Sequence, residues 1–534
     1  MADAGTLRLP GQVVLPGVFT GARAGPPGVT GPARVVETHS SVLFFVDDLV
    51  CKLKKPVNLG FLDFRTSASR RAACDAEVTL NRRLAPDVYL GVADISGPDG
   101  EMWDSLVVMR RMPDDRRLSA MVSEPSTPRR GGPLEAALRA LSRQLAAFHA
   151  RCETSEEIAA AGDPEVLRRL WQDTVGVMRR FCGQVLPAPT VELMERLALG
   201  YLEGREPLLR RRQQLGLIRD GHGDLLADDV FILDDGPRVL DCLEFDPALR
   251  HGDVLNDVGF LAMDLERLGA STAARFFLDS YGEFSGEHHP RSLEDLYIAY
   301  RAAVRSKVAC LRWEQGDRDA APLARRFAEL SVRHLRRGRV QLVLIGGLPG
   351  SGKSTLAQAI SADEGADWTI LRSDVIRKEL AGLRPQDSAA AAYGCGLYRP
   401  ELRQRAYEEL LLRARHALEL GESVVLDASF TDAAQRRAAV KVAEQTNAGL
   451  IQFECQASPD VITERFARRD RARKAGVVDA EDGLDVDASD ADYSILLAMA
   501  EVADPWPEAI PVDTEMPPSA VARTVRGALE ATNT

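Results

Sequence analysis

The sequence predicts an α/β domain with a parallel sheet at its C-terminal end, preceded by a larger α+β region. Three observations lead there. A glycine-rich loop stands between an apolar strand and a helix, strands and helices alternate after it, and 534 residues are too many for one ordinary core. The loop lies in the stretch Gln341 to Thr355, QLVLIGGLPGSGKST, with a short apolar strand over Leu342 to Ile345 and a helix starting near Lys353. Gly347, Leu348, Pro349, Gly350, Ser351, Gly352, Lys353 and Ser354 fill the pattern G-x-x-x-x-G-K-[ST], and Thr355 continues into the helix. Small residues there let successive backbone N–H groups wrap a phosphate at the helix N-terminus. Such a loop needs Lys353 to reach β- and γ-phosphates and the Ser354 hydroxyl to take a place on Mg²⁺.

The alternation continues with strand 368 to 372, helix 375 to 381, helix 400 to 420, strand 423 to 426 and strand 450 to 454. Strands separated by helices imply parallel crossovers, and such sheets bind ligands outside the C-terminal ends of their strands. Asp374 stands at one such end with Arg377 one helical turn on, and Asp427 stands at another, where a carboxylate orders Mg²⁺ or its water. A helix begun by Ser458-Pro459 carries Arg465, Arg468, Arg469, Arg471 and Arg473. Arg465 and Arg469 share a face and are the candidates for a lid over the phosphates; each arginine taken singly also reads as part of a solvated face.

Over the whole chain the net charge of −12 opposes a nonspecific grip on nucleic acid. The eight cysteines are scattered without C-x-x-C or metal-ligand spacing and read as reduced residues. No secretory leader and no bilayer-length apolar run is evident, so a cytoplasmic location without membrane contact is expected.

Residues 1 to 33 are rich in Gly and Pro and are expected to be irregular. The runs Ser41 to Val46 and Leu49 to Leu53 flank Asp47-Asp48 as a hairpin. Lys52 and Lys54, two apart, point to the same side of the second strand, and a lysine on an inner face needs an anion. Glu77, on a helix over 69 to 84, is one partner on offer; solvated lysines and a surface glutamate are the plainer reading of residue type alone. Ser105 to Met109 reads as a strand leading through Met112-Pro113 to a second lobe, and Leu138 to His149 as an amphipathic helix.

The segment from Asp220 to Asp241 holds His222, Gly223 and Asp224, then two β runs joined at Asp234-Asp235-Gly236, and ends on Asp241. Two carboxylates at one end of a hairpin suit a base for a hydroxyl, Asp224, and a metal ligand, Asp241. The segment resembles the catalytic and metal-binding loops of the aminoglycoside phosphotransferase family, relatives of protein kinases whose loop reads H-G-D-x-x-x-x-N. The resemblance covers roughly 34 to 315. It implies that Asp224 is the catalytic base, Asp241 the principal Mg²⁺ ligand, Lys52 the phosphate-binding lysine with Lys54 as the fallback, and Glu77 its helix partner. Asp229 stands where the family has its metal-binding Asn; a carboxylate can ligate Mg²⁺ but adds charge beside Asp241. An acidic residue after the metal loop holds the catalytic loop in that family, a role for which Asp253 is the candidate, with helix capping as its alternative.

The pattern S-D-x-x-R at Ser373 to Arg377, with the glycine loop and the arginine-rich helix, resembles small P-loop kinases of the gluconate kinase, polynucleotide kinase and zeta-toxin type over about 340 to 515. By that resemblance Asp374 is the base toward an acceptor hydroxyl and Arg377 the acceptor clamp.

Together the two halves resemble bacterial proteins that fuse an aminoglycoside phosphotransferase-like domain to a P-loop kinase-like domain. The expected architecture is a two-lobed kinase-like α+β domain over 34–337 and an α/β P-loop domain with a parallel sheet over 338–534. The expected activity is ATP- and Mg²⁺-dependent phosphate transfer to a hydroxyl of a small molecule, with a sugar or aminosugar as the candidate acceptor, at two nucleotide sites. Two alternatives stand beside it: a polynucleotide 5′-hydroxyl kinase in the C-terminal half, against which the net acidity argues, and an ATP-driven switch whose N-terminal half senses a ligand.

Overall fold

The computed structural model describes residues 4–9, 13–18, 34–38, 40–58, 63–96, 102–123, 132–361, 368–384, 387, 396–475 and 493–531. The chain divides into two compact units, residues 1–166 with 212–288, and residues 167–211 with 289–534.

The first unit is built on an antiparallel sheet in the order Val13–Val18, Ala4–Leu9, Tyr89–Ser96, Met102–Arg110, Leu49–Lys54, Ser41–Val46, Arg34–Glu37. The hairpin at Asp47-Asp48 forms as its turn residues predict, with Asp47 at φ 46°. The N-terminal segment, expected to be irregular, supplies two paired strands instead. The abundance of Gly and Pro hides two short runs, Gly5 to Leu9 and Val13 to Leu15, rich enough in branched and aliphatic residues to extend, and Pro16 is tolerated because its strand is at the sheet edge. Helix Ser67–Asn81, capped by the Thr66 side chain, packs Cys74 and Val78 onto Val107 and Met109 of the sheet. The same helix face buries Glu77, which fixes where its carboxylate meets the sheet. Below lie helices Pro133–Arg151, Val254–Arg267 and Ser271–Ser285, with Leu138, Leu141, Leu145 and Phe148 all buried. Two short ribbons, Val230–Leu233 with Gly236–Val239 and Ile218–Asp220 with His251–Asp253, carry the loops that bear the acidic residues.

The second unit has a five-stranded, wholly parallel sheet in the order Trp368–Arg372, Ser423–Asp427, Gln341–Gly346, Gly449–Gln456, Ile510–Asp513. The central strand Gln341–Gly346 is buried along its whole length, as a strand covered on both faces must be. Val343, Ile345, Val425, Ile451 and Phe453 from the sheet meet Leu356, Ala357 and Ile360 of helix Lys353–Ser361 in one core. Helices Ala188–Gly204, Arg291–Glu314 and Ala320–Arg337 belong to this unit as well. Arg205, just past the first of them, is fully buried and donates to the carbonyl oxygens of Leu418 (3.0 Å), Thr446 (2.9 Å) and Asn447 (3.1 Å), at the C-terminal ends of helices Pro400–Glu419 and Ala433–Gln445. A cation at converging helix C-termini meets their partial negative charge and the carbonyls left there without an intrahelical partner.

Candidate active sites

In the first unit the strand Leu49–Lys54 and the helix Ser67–Asn81 bring both lysines to one glutamate. Lys52 Nζ lies 2.9 Å from Glu77 Oε1 and 2.6 Å from Asp241 Oδ1; Lys54 Nζ lies 2.5 Å from Glu77 Oε2 and is hydrogen-bonded to Glu244. Lys54 is enclosed, while Asp241 is half exposed, so Lys52 is the lysine that faces the open side. Burial pushes the Glu77 carboxyl up, but Lys52 and Lys54 outweigh it and hold it below its ordinary range. Lys52 likewise holds Asp241 below the usual carboxylate value, against burial.

Asp241 sits at φ 63°, a left-handed conformation that a non-glycine residue adopts only when its surroundings fix it. They do so here. The Asp241 N–H donates to the Tyr89 hydroxyl (3.1 Å), and the next N–H, of Cys242, donates to Asn81 Oδ1 (2.9 Å). Asp224 follows His222, whose Nε2 lies 3.0 Å from the Leu240 carbonyl oxygen; since a carbonyl only accepts, the ring proton is on Nε2. Burial holds the His222 pKa below its usual value, which keeps the ring neutral. Asp229 caps the set. Its carboxyl is pushed well up by burial and then by the charges of Asp241 and Asp224, so these three carboxylates act on one another.

The residue that holds the His222–Asp224 loop is Asp257. Its Oδ2 accepts from the His222 N–H (2.5 Å) and its Oδ1 from the Gly223 N–H (2.9 Å), and His149 Nε2 lies 3.3 Å away. Asp253, the sequence candidate for this role, instead accepts from the Leu255 N–H as a helix cap and pairs with Arg212. Position decides it: Asp253 precedes the helix Val254–Arg267, whereas Asp257 is one turn inside it and faces the loop. Gly221 is the matching signal, because a Cβ there would stand 2.2 Å from Asp257 Oδ2. Asp264, further along the same helix, accepts from the Ala227 N–H (3.0 Å) and holds the turn before Asp229.

In the second unit the glycine loop joins the central strand to helix Lys353–Ser361. Gly347, Gly350 and Gly352 all have positive φ, and a Cβ on Gly347 would come within 2.6 Å of the Cys455 carbonyl oxygen. Leu348 accepts from Lys353 Nζ (2.9 Å) through its carbonyl and packs against Ile495. Ser354 Oγ donates to Asp427 Oδ2 (2.6 Å) at the end of the neighbouring strand. Burial raises the Asp427 carboxyl, opposed by Lys353 and the Ser354 hydroxyl. Asp374 and Arg377 are hydrogen-bonded to each other at the end of the outer strand; burial would raise Asp374, but Arg377, Lys353 and Arg372 lower it, so it is an anion at neutral pH.

Arg465 reaches the loop from behind, donating to the carbonyl oxygens of Gly350 (3.0 Å) and Thr514 (2.8 Å). Thr514 Oγ1 in turn donates to the Ser351 carbonyl (2.6 Å). Thr514, which no sequence pattern singled out, follows the fifth strand, itself too short to be read from the sequence. The Arg469 side chain lies outside the described residues. Among the described residues no three His, Cys, Asp or Glu side chains form a ready metal cage. Mg²⁺ held by one or two carboxylates, substrate phosphates and water does not need one.

The protein Rv2004c of Mycobacterium tuberculosis H37Rv, described as uncharacterized, is 38% identical over 483 residues, which span 90% of this chain and 92% of that one. The chain belongs to the Rv2004c family. The family member Mb2027c of Mycobacterium bovis shows the same figures. Within the chain, residues 342–488 match the family model for an AAA domain, which starts on the strand before the glycine loop. Among solved structures, a choline/ethanolamine kinase family protein from Mesorhizobium loti is 15% identical with a TM-score of 0.37, over 58% of this chain and 92% of that one. A gluconokinase from Sinorhizobium meliloti 1021 is 19% identical with a TM-score of 0.24, over 36% and 92%. The Rv2004c-family chain thus carries its glycine loop in a C-terminal region that matches an AAA domain and is built on a parallel sheet, after an N-terminal region of mixed helix and antiparallel strand. No helix among the described residues is long and apolar enough to cross a membrane.

Proposed function

We propose that the protein is an ATP- and Mg²⁺-dependent phosphotransferase with two nucleotide sites, each delivering the γ-phosphate to a hydroxyl of a small molecule. The observation that carries this reading is the glycine loop Gly347–Ser354 with its hydroxyl already on Asp427, since backbone N–H groups, a lysine and a hydroxyl–carboxylate pair are what a Mg²⁺-nucleotide requires. In this site Mg²⁺ would be held by Ser354 and Asp427, and the bound ion would offset phosphate charge. Lys353 would leave the Leu348 carbonyl for the phosphates. Asp374, anionic and beside Arg377, would accept the hydroxyl proton while Arg377 holds the acceptor. Arg465 supports the loop by fixing the carbonyls of Gly350 and Thr514.

The first unit supports a second site of the same chemistry. Lys52 is poised for the phosphates, Asp241 and Asp229 for Mg²⁺, and Asp224 for the hydroxyl proton, on a loop held by Asp257. Crowding of Asp229 against Asp224 and Asp241 fits a bound cation, which would relieve it. The same crowding favours, as the second reading, a first unit that binds a ligand without turnover while the second unit hydrolyses ATP.

ATP consumption against a panel of sugars, aminosugars, polyols, aminoglycosides and 5′-hydroxyl oligonucleotides tests the proposal with wild type, Lys353→Ala and Asp224→Ala. Acceptor-stimulated turnover lost in each variant for a different acceptor is the expected result. Turnover indifferent to every acceptor and lost only in Lys353→Ala would overturn it in favour of the second reading.

A further inference from the structure

We propose that Lys54 and Glu244 are positioning residues of the first site, a second ion pair that holds Glu77 and the Asp241 loop in place when Lys52 turns to a nucleotide. The inference rests on the nucleotide-site reading of the first unit. It starts from an alternation of charge across three separate elements: Asp241, Lys52, Glu77, Lys54 and Glu244 follow one another, each in contact with the next. Asp241 and Glu244 sit on the loop after Val239, Lys52 and Lys54 on the strand Leu49–Lys54, and Glu77 on the helix Ser67–Asn81.

Charge and burial explain why a second lysine is needed. The Glu77 side chain has no exposure at all, so its charge is sustained only by cations beside it. Lys52 satisfies one of its oxygens and also contacts Asp241. A Mg²⁺-nucleotide would draw Lys52 to a phosphate and Asp241 to the metal, weakening both contacts. Lys54 cannot follow. It is 1% exposed, held between Glu77 and Glu244, and its ammonium lies 5.5 Å from the centre of the Phe64 ring. It therefore keeps Glu77 ionised and aimed while Lys52 is engaged elsewhere. Glu244, three residues after Asp241, completes the link by tying the Asp241 loop to the sheet through a contact no ligand competes for.

The test is Mg²⁺-AMP-PNP binding by titration calorimetry to the full chain carrying Lys353→Ala, which leaves the first site as the one to be read. On that background Lys54→Met and Glu244→Gln are each expected to weaken Mg²⁺-nucleotide binding by about tenfold or more, the range for loss of a group that orients a ligating residue, and Lys54→Arg to restore most of it. The same titrations without Mg²⁺ separate positioning from a general loss of fold: Glu244→Gln is expected to reduce the gain that Mg²⁺ brings, and thermal melts check that each variant is folded. Wild-type affinity in folded Lys54→Met and Glu244→Gln, with affinity lost in Asp241→Asn, would overturn this proposal alone. Unchanged affinity in Asp241→Asn as well would overturn the nucleotide reading of the first unit, and the proposal with it.

Discussion

At the scale of single residues, the two sites depend on groups held in states they would not adopt in water. Gly347 has φ 130° and no room for a side chain, so Gly347→Ala must push the Cys455 carbonyl away or deform the loop, at roughly 1–3 kcal/mol of strain. The expected outcome is loss of nucleotide binding by the second unit with only a modest drop in melting temperature, read by titration and a thermal melt. Glu77 sets a pH dependence. Its carboxyl is held below its ordinary value of 4.5 in the folded chain, so its ionisation stabilises the fold above that value, and this contribution is lost as pH falls through the lowered folded value. Stability of the first unit should therefore fall on acidification below about pH 4.5, and Glu77→Gln should flatten that acid limb in denaturant midpoints taken from pH 7 downward. The reason is local: the sequence shows Lys52, Lys54 and Glu77, but only the fold shows that one carboxylate serves both lysines.

At the scale of elements, the loop His222–Asp224 is governed by a helix it precedes by some thirty residues. Asp257→Ala removes the acceptor of two buried N–H groups, a change expected to cost about 1.5–3 kcal/mol. Turnover at the first site should fall steeply while Lys353-dependent turnover persists, a split that steady-state assays of both activities would detect. The loop itself was legible, because His222, Gly223 and Asp224 are contiguous and the hairpin after them has a clear turn. Its support was not. Asp253 and Asp257 are both acidic and four apart, and choosing between them requires knowing that the helix starts at Val254, which sequence spacing does not fix to within a residue. The glycine loop and four of the five parallel strands were legible for the opposite reason, since each strand is a short, mostly apolar run set between helical segments. The fifth, Ile510–Asp513, is a four-residue edge strand after Pro507, and the N-terminal strands are short runs among Gly and Pro; neither presents a pattern strong enough to stand out.

At the scale of the whole molecule, a boundary near residue 338 follows the two sequence resemblances, whereas compactness places residues 167–211 and 289–337 with the P-loop sheet. Arg205 gives that grouping a physical basis, as its guanidinium has carbonyl acceptors on two helices that flank the sheet. Arg205→Met should orphan the carbonyls of Thr446 and Asn447 at roughly 1–3 kcal/mol each, while that of Leu418 keeps the Gly421 N–H, and should lower the urea midpoint of the second unit while nucleotide binding by the first unit is retained. The central claim is that one chain holds two sites for Mg²⁺-nucleotide, and the stoichiometry of Mg²⁺-AMP-PNP binding tests it most directly. Two nucleotides per wild-type chain, falling to one in Lys353→Ala and to one in Asp241→Asn, is the predicted result. A single nucleotide per wild-type chain, lost altogether in Lys353→Ala and untouched by Asp241→Asn, would contradict it.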